Sequence, residues 1–471
     1  MTEAHDKYIR GILNDDSTNE EQKKPTMGKK FWQYIKSRKK DTVNISTLKN
    51  SSGTEVIDSK GKAAILNEQY DSVFTDEDMN TMPSLGNSNI DDIEILRVYG
   101  KSERKRALSY PEDEEGANNL FQSWKQEHGK EYKLLGEDFG RFQIFKDNLK
   151  LINKLNGMYK GKMTFAANKF ADMDPKEFQS KILMPKRRAP TFEPSRYIKS
   201  TVNDPLPDSF DWVPKNMVTS VKDQGAAGSC WAFSTVENIE GQWAMAGKPL
   251  TNLSVEQVVD CDGMEDIPGK NADCGVFGGW PYLAYQYIIK AGGLSTWSDY
   301  PYCSGDTADK HHPEDNCMPC PAPGFNASLC GPPVPYCNMS QSCVAKLNKD
   351  KFVNGLQLSS WKAIDQNETV VAEQLMKIGP LSIAINAELL QLYHKGVFEP
   401  HHCDPKNLDH AVLLVGFGKE KTLFGEKSFW KVKNSWGPKW GLNGYFQIKR
   451  DVGMCGINTQ VTTAVLSQPN K

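Results

Sequence analysis

All eleven cysteines of this 471-residue chain lie at or after position 230, so its two halves follow different redox chemistry. A disulfide-stapled C-terminal half behind a cysteine-free N-terminal one is the arrangement this distribution suits best. If one cysteine is kept as a free nucleophile, ten remain, an even number that fits the framework of a lysosomal or extracellular protein. Sequons at Asn252, Asn326, Asn338 and Asn367 point the same way. The start, Met1-Thr-Glu-Ala-His-Asp-Lys, carries no apolar signal segment, and a fused fragment that replaced the original start would reconcile the two observations. With 57 basic and 59 acidic residues the net charge is −2, which excludes a polyelectrolyte partner for the chain as a whole. No apolar stretch approaches the roughly 18 residues that span a bilayer, so no membrane partner is expected.

Residues 1–117 are polar and charged and are read as a largely disordered segment. A basic aromatic run, Lys29 to Lys40, precedes a helix-like Lys62–Tyr70 and an acidic linker. Phe31 to Phe74, with its Phe-Trp start and Ile-Leu-Asn-Glu-Gln-Tyr block, resembles the segment between endonuclease and reverse transcriptase in non-LTR retrotransposon polyproteins. Lys and Arg with interleaved aromatics could contact nucleic acid, but runs of like charge are more often simply solvated, and that reading is preferred.

From Asn118 the pattern turns helical. Leu120, Phe121 and Trp124 open one amphipathic stretch, and Phe142, Phe145, Leu149 and Ile152 recur at helical spacing in a second, from Phe139 to Leu155. Glu137, Arg141, Phe145, Asn148, Ile152 and Asn156 complete the ERFNIN motif of the inhibitory propeptides of cathepsin L-like cysteine proteases. Ala166-x-Asn168-x-Phe170-x-Asp172 resembles the motif that follows in that family, with Ala where Gly is usual. Residues 118–205 are therefore read as an inhibitory propeptide and linker, with Lys186-Arg-Arg188 in its exposed, cleavable part.

Gln224-Gly-Ala-Ala-Gly-Ser-Cys230-Trp-Ala-Phe-Ser234 puts Cys230 at the start of a helical run. There the unpaired N–H groups and the helix dipole favour thiolate over thiol. The string closely resembles the active-site signature of the papain family. His410 opens an apolar, strand-like run, which His5, His128, His311, His312, His394, His401 and His402 do not. A thiolate and an imidazolium in contact stabilise each other and can be ionised at neutral pH. On the next strand Lys431 and Lys433 should share one face, and Val432 and Asn434 the other. The resemblance gives Asn434 the task of orienting His410, Trp436 that of shielding that bond, and Gln224 that of an oxyanion donor beside the Cys230 N–H. It also implies substrate-binding positions at Gly278, Gly279, Trp280, Pro281, Ala384, Ala411, Trp436 and Gln460. It covers about 340 residues, Asn118 to near Val461.

The chain departs from that family at two linked places. A Cys three residues before the nucleophile usually pairs with the Cys of a Cys-x-Gly-Gly segment, but here stand Ala227 and Cys274-Gly-Val-Phe-Gly-Gly279. Cys274 must pair elsewhere, with the Cys-rich insertion 303–343 as the place to look. By resemblance Cys403 bridges Cys455 and Cys261 reaches the insertion. His311-His312 and Cys317-x2-Cys320 could ligate zinc, although disulfides are preferred and no metal or cofactor is assigned. The His pair also resembles the occluding loop of cathepsin B, which leaves carboxydipeptidase activity as an alternative.

The expected architecture is α+β: a papain-like two-domain fold over 206–471, with a helical left domain and an antiparallel β-barrel-like right domain, preceded by a helical propeptide. The expected activity is that of a cysteine-type endopeptidase made as a zymogen, monomeric, inhibited by its own propeptide and acting on protein and peptide substrates. The rivals are a propeptide-type inhibitor without catalysis and an N-terminal nucleic-acid binder.

Overall fold

The computed structural model describes residues 48–49, 55–56, 108–199 apart from 133 and 135, 205–305, and 320–467 apart from 334–336, 338 and 423–424. The chain divides into two compact units, Met1–Ser102 and Glu103–Lys471. In the first, Leu48–Lys49 pairs antiparallel with Glu55–Val56. The rest of the retrotransposon-like stretch, the basic run, His311, His312 and Cys317 lie outside the described residues.

Three helices build the N-terminal part of the second unit. Helix α1 (Glu114–His128) starts where the Asp113 carboxylate accepts from Gly116 N at 2.7 Å, with Glu114 and Glu115 complementing the dipole, and stops at Gly129 in the left-handed region. The boundary read at 117/118 is therefore too late. A cap and an acidic first turn carry no apolar periodicity, so the pattern began only at the first buried side chains. Even Leu108 and Tyr110 are tied to helix α2 (Glu137–Met158), through Asn156 Nδ2 to Leu108 O at 3.0 Å and Asn153 Nδ2 to Tyr110 O at 2.9 Å. Phe121 and Trp124 of α1 pack on Phe145 of α2, each with ring centroids 5.1 Å apart.

The polar positions of the α2 motif hold the segment that follows. Asn148 Nδ2 donates to the carbonyls of Ala171 and Met173, both at 2.8 Å, and Asn156 brackets Phe165 through its N–H and C=O. Arg141 forks onto Glu177 of helix α3 (Pro175–Lys181) and donates to Asp172 O at 3.0 Å.

Beyond this region, helices α4 (Cys230–Met245), α5 (Val255–Cys261) and α6 (Pro281–Ala291) form the left half, while α7 (Glu368–Ile378) lies in the right half with the sheet. The strands are β1 (Met163–Phe165), β2 (Tyr197–Ile198), β3 (Phe210–Asp211), β4 (Leu358–Ile364), β5 (Leu381–Ile385), β6 (Tyr393–Phe398), β7 (His410–Thr422), β8 (Gly425–Lys433), β9 (Tyr445–Lys449) and β10 (Val461–Leu466). Their order is β1-β6-β9-β8-β7-β5-β10-β4-β2, with β3 beside β7. Pairing is antiparallel except for β6–β9 and β2–β4. Both ends of the path, β1 and β2, come from the region before residue 206, so the propeptide-like segment covers the edges that β6 and β4 would otherwise expose.

Cys261 bridges Cys343, Cys274 bridges Cys330, Cys320 bridges Cys337 and Cys403 bridges Cys455, and Cys303 is also disulfide-bonded. Cys274 thus finds its partner in the insertion, and Cys320 has no thiolate to offer a zinc ion. The strand end around Lys433 is more enclosed than its sequence suggests. Lys433 is fully buried, 2.8 Å from Glu237 of α4, while Lys431 pairs with Asp211 at 2.6 Å near the surface. Lys222 and Glu240, 3.1 Å apart, complete a buried set of two cations and two carboxylates joining α4 to β8.

Candidate active site

Cys230 is the first residue of α4, is fully buried, and is the free cysteine among the described residues. Its Sγ accepts from Ala411 N at 3.5 Å, which puts the sulfur beside the start of β7. His410 begins that strand. Its Nε2 lies 2.8 Å from Asn434 Oδ1, just past the end of β8, and its Nδ1 has no hydrogen-bond partner. The Trp436 ring stacks on the imidazole at 4.6 Å and 23°. The register of β7 against β8, Leu413 opposite Lys433, brings residues 24 apart in sequence together. Gln224, bonded through its N–H to Ser435 O at 2.8 Å, turns its amide toward the start of α4: Oε1 accepts from Ser435 Oγ at 2.7 Å and Nε2 donates to Ala227 O at 2.7 Å. All four residues expected to carry catalysis thus meet around one helix terminus.

The electrostatics differ from the ionised pair expected from sequence. Burial pushes the Cys230 thiol up to about 12, against the lowering effect of the N–H groups of Ala411, Trp231 and Cys230 itself. Burial also pushes His410 down to about 4, although the Asn434 bond favours its charged form. Both shifts favour the neutral thiol and the neutral imidazole. The cause is a segment that lies over the site. Gln224 Nε2 also donates to Ile182 O at 2.8 Å, Met184 N donates to Asp409 O at 2.8 Å, and Arg187 exchanges both backbone bonds with Leu408. Phe170 and Phe178 stand edge-on against Trp436, each 5.4 Å away. With water excluded from both sides of the pair, neither charge is solvated.

The implied subsite residues do not share one place. Trp280, Ala384 and Ala411 share one buried apolar cluster with Cys230 and with Met184 of the covering segment. Gln460 adjoins it, its carbonyl accepting from Ala384 N at 3.1 Å, and its side chain is 1 % exposed with neither amide atom bonded. Gly278, at φ +106°, runs so close to the segment that a Cβ there would stand 3.1 Å from the Met184 Cβ. A Cβ on Gly279 would meet the Asp273 carboxylate at 2.5 Å and the Trp231 ring at 2.6 Å. Pro281 is buried at the first position of α6, and Trp436 faces His410 and the two phenylalanines rather than the cluster.

Sequence reasoning missed Ile182, Met184, Ser435 and Asp409. The apolar Ile182-Leu-Met184, between Lys181 and Pro185-Lys186, was a usable signal for the first two. Asp409 is buried beside His410, accepts from Ala387 N at 2.7 Å, and is pushed up to about 7 by burial.

Two family models match the chain. Residues 206–465 match the papain family cysteine protease model, and residues 121–178 match the cathepsin propeptide inhibitor domain. The chain is 36% identical over 389 residues to cysteine proteinase 15A of Pisum sativum, covering 81% of this chain and 94% of that one. It is 33% identical to cathepsin F of Mus musculus over 350 residues, 74% of this chain and 65% of that one. Among solved structures, digestive procathepsin L 3 of Tenebrio molitor larval midgut superimposes with a TM-score of 0.58 at 28% identity, covering 74% of this chain and 99% of that one. With the thiol, imidazole and amide gathered under the stretch that directly follows the residues matching the inhibitor domain, the chain belongs to the papain family of cysteine proteases, as a zymogen with endopeptidase activity.

Proposed function

We propose that Cys230 is the nucleophile, His410 its base, Asn434 the residue that orients His410, and Gln224 an oxyanion donor. The single observation that carries this assignment is the 2.8 Å contact of His410 Nε2 with Asn434 Oδ1 beside the Cys230 sulfur. With Nε2 engaged, Nδ1 is the nitrogen free to take the thiol proton. The thiolate then attacks the peptide carbonyl carbon, and the Gln224 amide and the Cys230 N–H stabilise the oxyanion. Collapse breaks the C–N bond, with the proton passing from His410 to the leaving amine, and water hydrolyses the thioester.

Substrates are peptides bound along Gly278 and Gly279, with an apolar side chain among Trp280, Ala384 and Ala411, near Pro281 and Gln460. The segment from Ile182 to Arg187 is the intramolecular inhibitor. The disulfides support an oxidising location, lysosomal or extracellular, and the protein acts as a monomer. Replacing Cys230 by Ser is the direct test: hydrolysis and labelling by a thiol-directed epoxide should both vanish while the fold survives. Labelling retained in that variant refutes the assignment.

A further inference from the structure

Arg187 spans the cleft. Its main chain is bonded to Leu408 of the right half in both directions, at 2.9 and 2.8 Å, while its guanidinium reaches the left half and donates to Ala272 O at 3.2 Å. Beyond Ala272 stand two carboxyls, Asp262 and Asp273, both fully buried. Asp262 Oδ1 accepts from Met264 N at 2.8 Å, and Asp273 Oδ1 from Trp280 N at 2.6 Å. The Oδ2 atom of each has no hydrogen-bond partner.

Burial pushes the Asp262 carboxyl up to about 7 and the neighbouring Asp273 carboxyl well above its usual range, so the pair carries one negative charge above about pH 7 and none in acid. Arg187 and Asp273 lie within each other's field, and the burial of Arg187 makes that field count for more than on an open surface. The location also matters. Asp273 holds the backbone of Trp280, a wall of the apolar cluster that Met184 enters three residues before Arg187. It directly precedes Cys274, which the Cys274–Cys330 bridge ties to the insertion.

We propose that the place Arg187 occupies becomes, once the propeptide leaves, a subsite for an arginine or lysine side chain of a peptide substrate. The Ala272 carbonyl is its hydrogen-bond acceptor and the Asp262–Asp273 pair its counter-charge. That side chain lies upstream of the substrate residue held in the apolar cluster. The inference rests on the protease reading and names part of its substrate class.

The test uses enzyme matured from the full chain, assayed at about pH 8 where the pair is charged, and fluorogenic tetrapeptides with Leu at the second position upstream of the scissile bond. Arg, Lys, norleucine or Glu is placed at the third or at the fourth position. At one of these, Arg and Lys should exceed norleucine in kcat/KM by about tenfold, in line with a charge-assisted hydrogen bond, and Glu should fall below it. Equal rates for Arg and norleucine at both positions overturn the subsite. In Asp273→Asn the ratio of Arg to norleucine should collapse toward one. Because the ratio is taken within one preparation, a loss of folded enzyme cancels, and Asp262→Asn gives a second reading if the first variant fails to fold. A full ratio in both variants overturns the role of the pair. Absence of hydrolysis of every peptide refutes the protease reading itself, whereas hydrolysis without an Arg advantage refutes only the subsite.

Discussion

The Gln224 amide donates to the carbonyl of Ile182 at 2.8 Å, so a group that should receive a substrate's oxyanion is already engaged by the chain's own propeptide. Ser435 Oγ fixes the amide from behind, at 2.7 Å from Oε1. Preorganised in this way, the donor loses nothing to reorientation when a substrate replaces Ile182. Gln224→Ala in the mature enzyme should lower kcat by about 10²–10³-fold, the usual cost of removing one such donor, with KM little changed. Steady-state kinetics on a Leu-containing peptide checks this, and an unchanged kcat removes Gln224 from the oxyanion site.

The proposed role of Asn434 is exerted through His410 rather than on the substrate. Asn434→Ala removes the acceptor for Nε2 and leaves the ring free to turn, so kcat should fall at every pH. The pH profile of kcat/KM should also shift, because the Asn434 bond raises the His410 pKa against burial. A variant with reduced kcat and an unmoved profile would assign Asn434 a purely structural role.

Acid should release the propeptide, and the sign can be worked group by group. His410 is held at about 4 in the covered form, mainly by burial, and should return toward about 6.5 when wetted. The covered form therefore keeps its full stability from this group above pH 6.5 and loses it as pH falls toward 4. His128 of α1 has the same sign, lowered to about 4 by burial and then by Lys130, Lys439 and Lys169. Glu177 is held below its usual range by Arg141 and Lys181 despite partial burial, so protonation weakens the α2–α3 contact at still lower pH. Asp409, raised to about 7, works the other way, since protonation suits its buried site. In mild acid the two histidines, set against Asp409, favour opening, and Glu177 joins them at lower pH. Full-length protein should convert to a form starting near Leu206 at pH 4.5 and persist at pH 7.5, as read by mass spectrometry; the reverse order would overturn this balance.

How far these features could be read from sequence depends on the range of the interactions. The α2 spacing of Phe142, Phe145, Leu149 and Ile152 is local, and all four side chains are buried as expected. The partners of the charged motif residues are not local: Arg141 grips Glu177, and Asp172 pairs with Lys130 and Tyr132, contacts internal to the propeptide that spacing cannot reveal. The neutral state of Cys230 and His410 was equally hidden, because it arises from burial by residues 182–187, far away in sequence from either. Likewise the Cys274–Cys330 bridge spans 56 residues, and pairing over such a distance is decided by the fold.

Gln460 bears on the main specificity. An amide turned to solvent would leave an apolar pocket, but the side chain is 1 % exposed and both its polar atoms lack partners, while Met184 belongs to the same buried apolar cluster as Trp280, Ala384 and Ala411. Burying Leu, Val or Phe there should contribute roughly 1.5–3 kcal/mol, which sets the leading preference at the second position upstream of the scissile bond. The unpaired amide can bond a polar tip but carries no charge, so a basic side chain there should be tolerated without being preferred. Gln460→Leu removes two buried unsatisfied atoms and should sharpen the preference for Leu over Arg, while stabilising the mature domain slightly. A positional peptide library decides the matter: Arg ahead of Leu in the parent enzyme, or an unchanged ratio in Gln460→Leu, would place the amide outside the pocket.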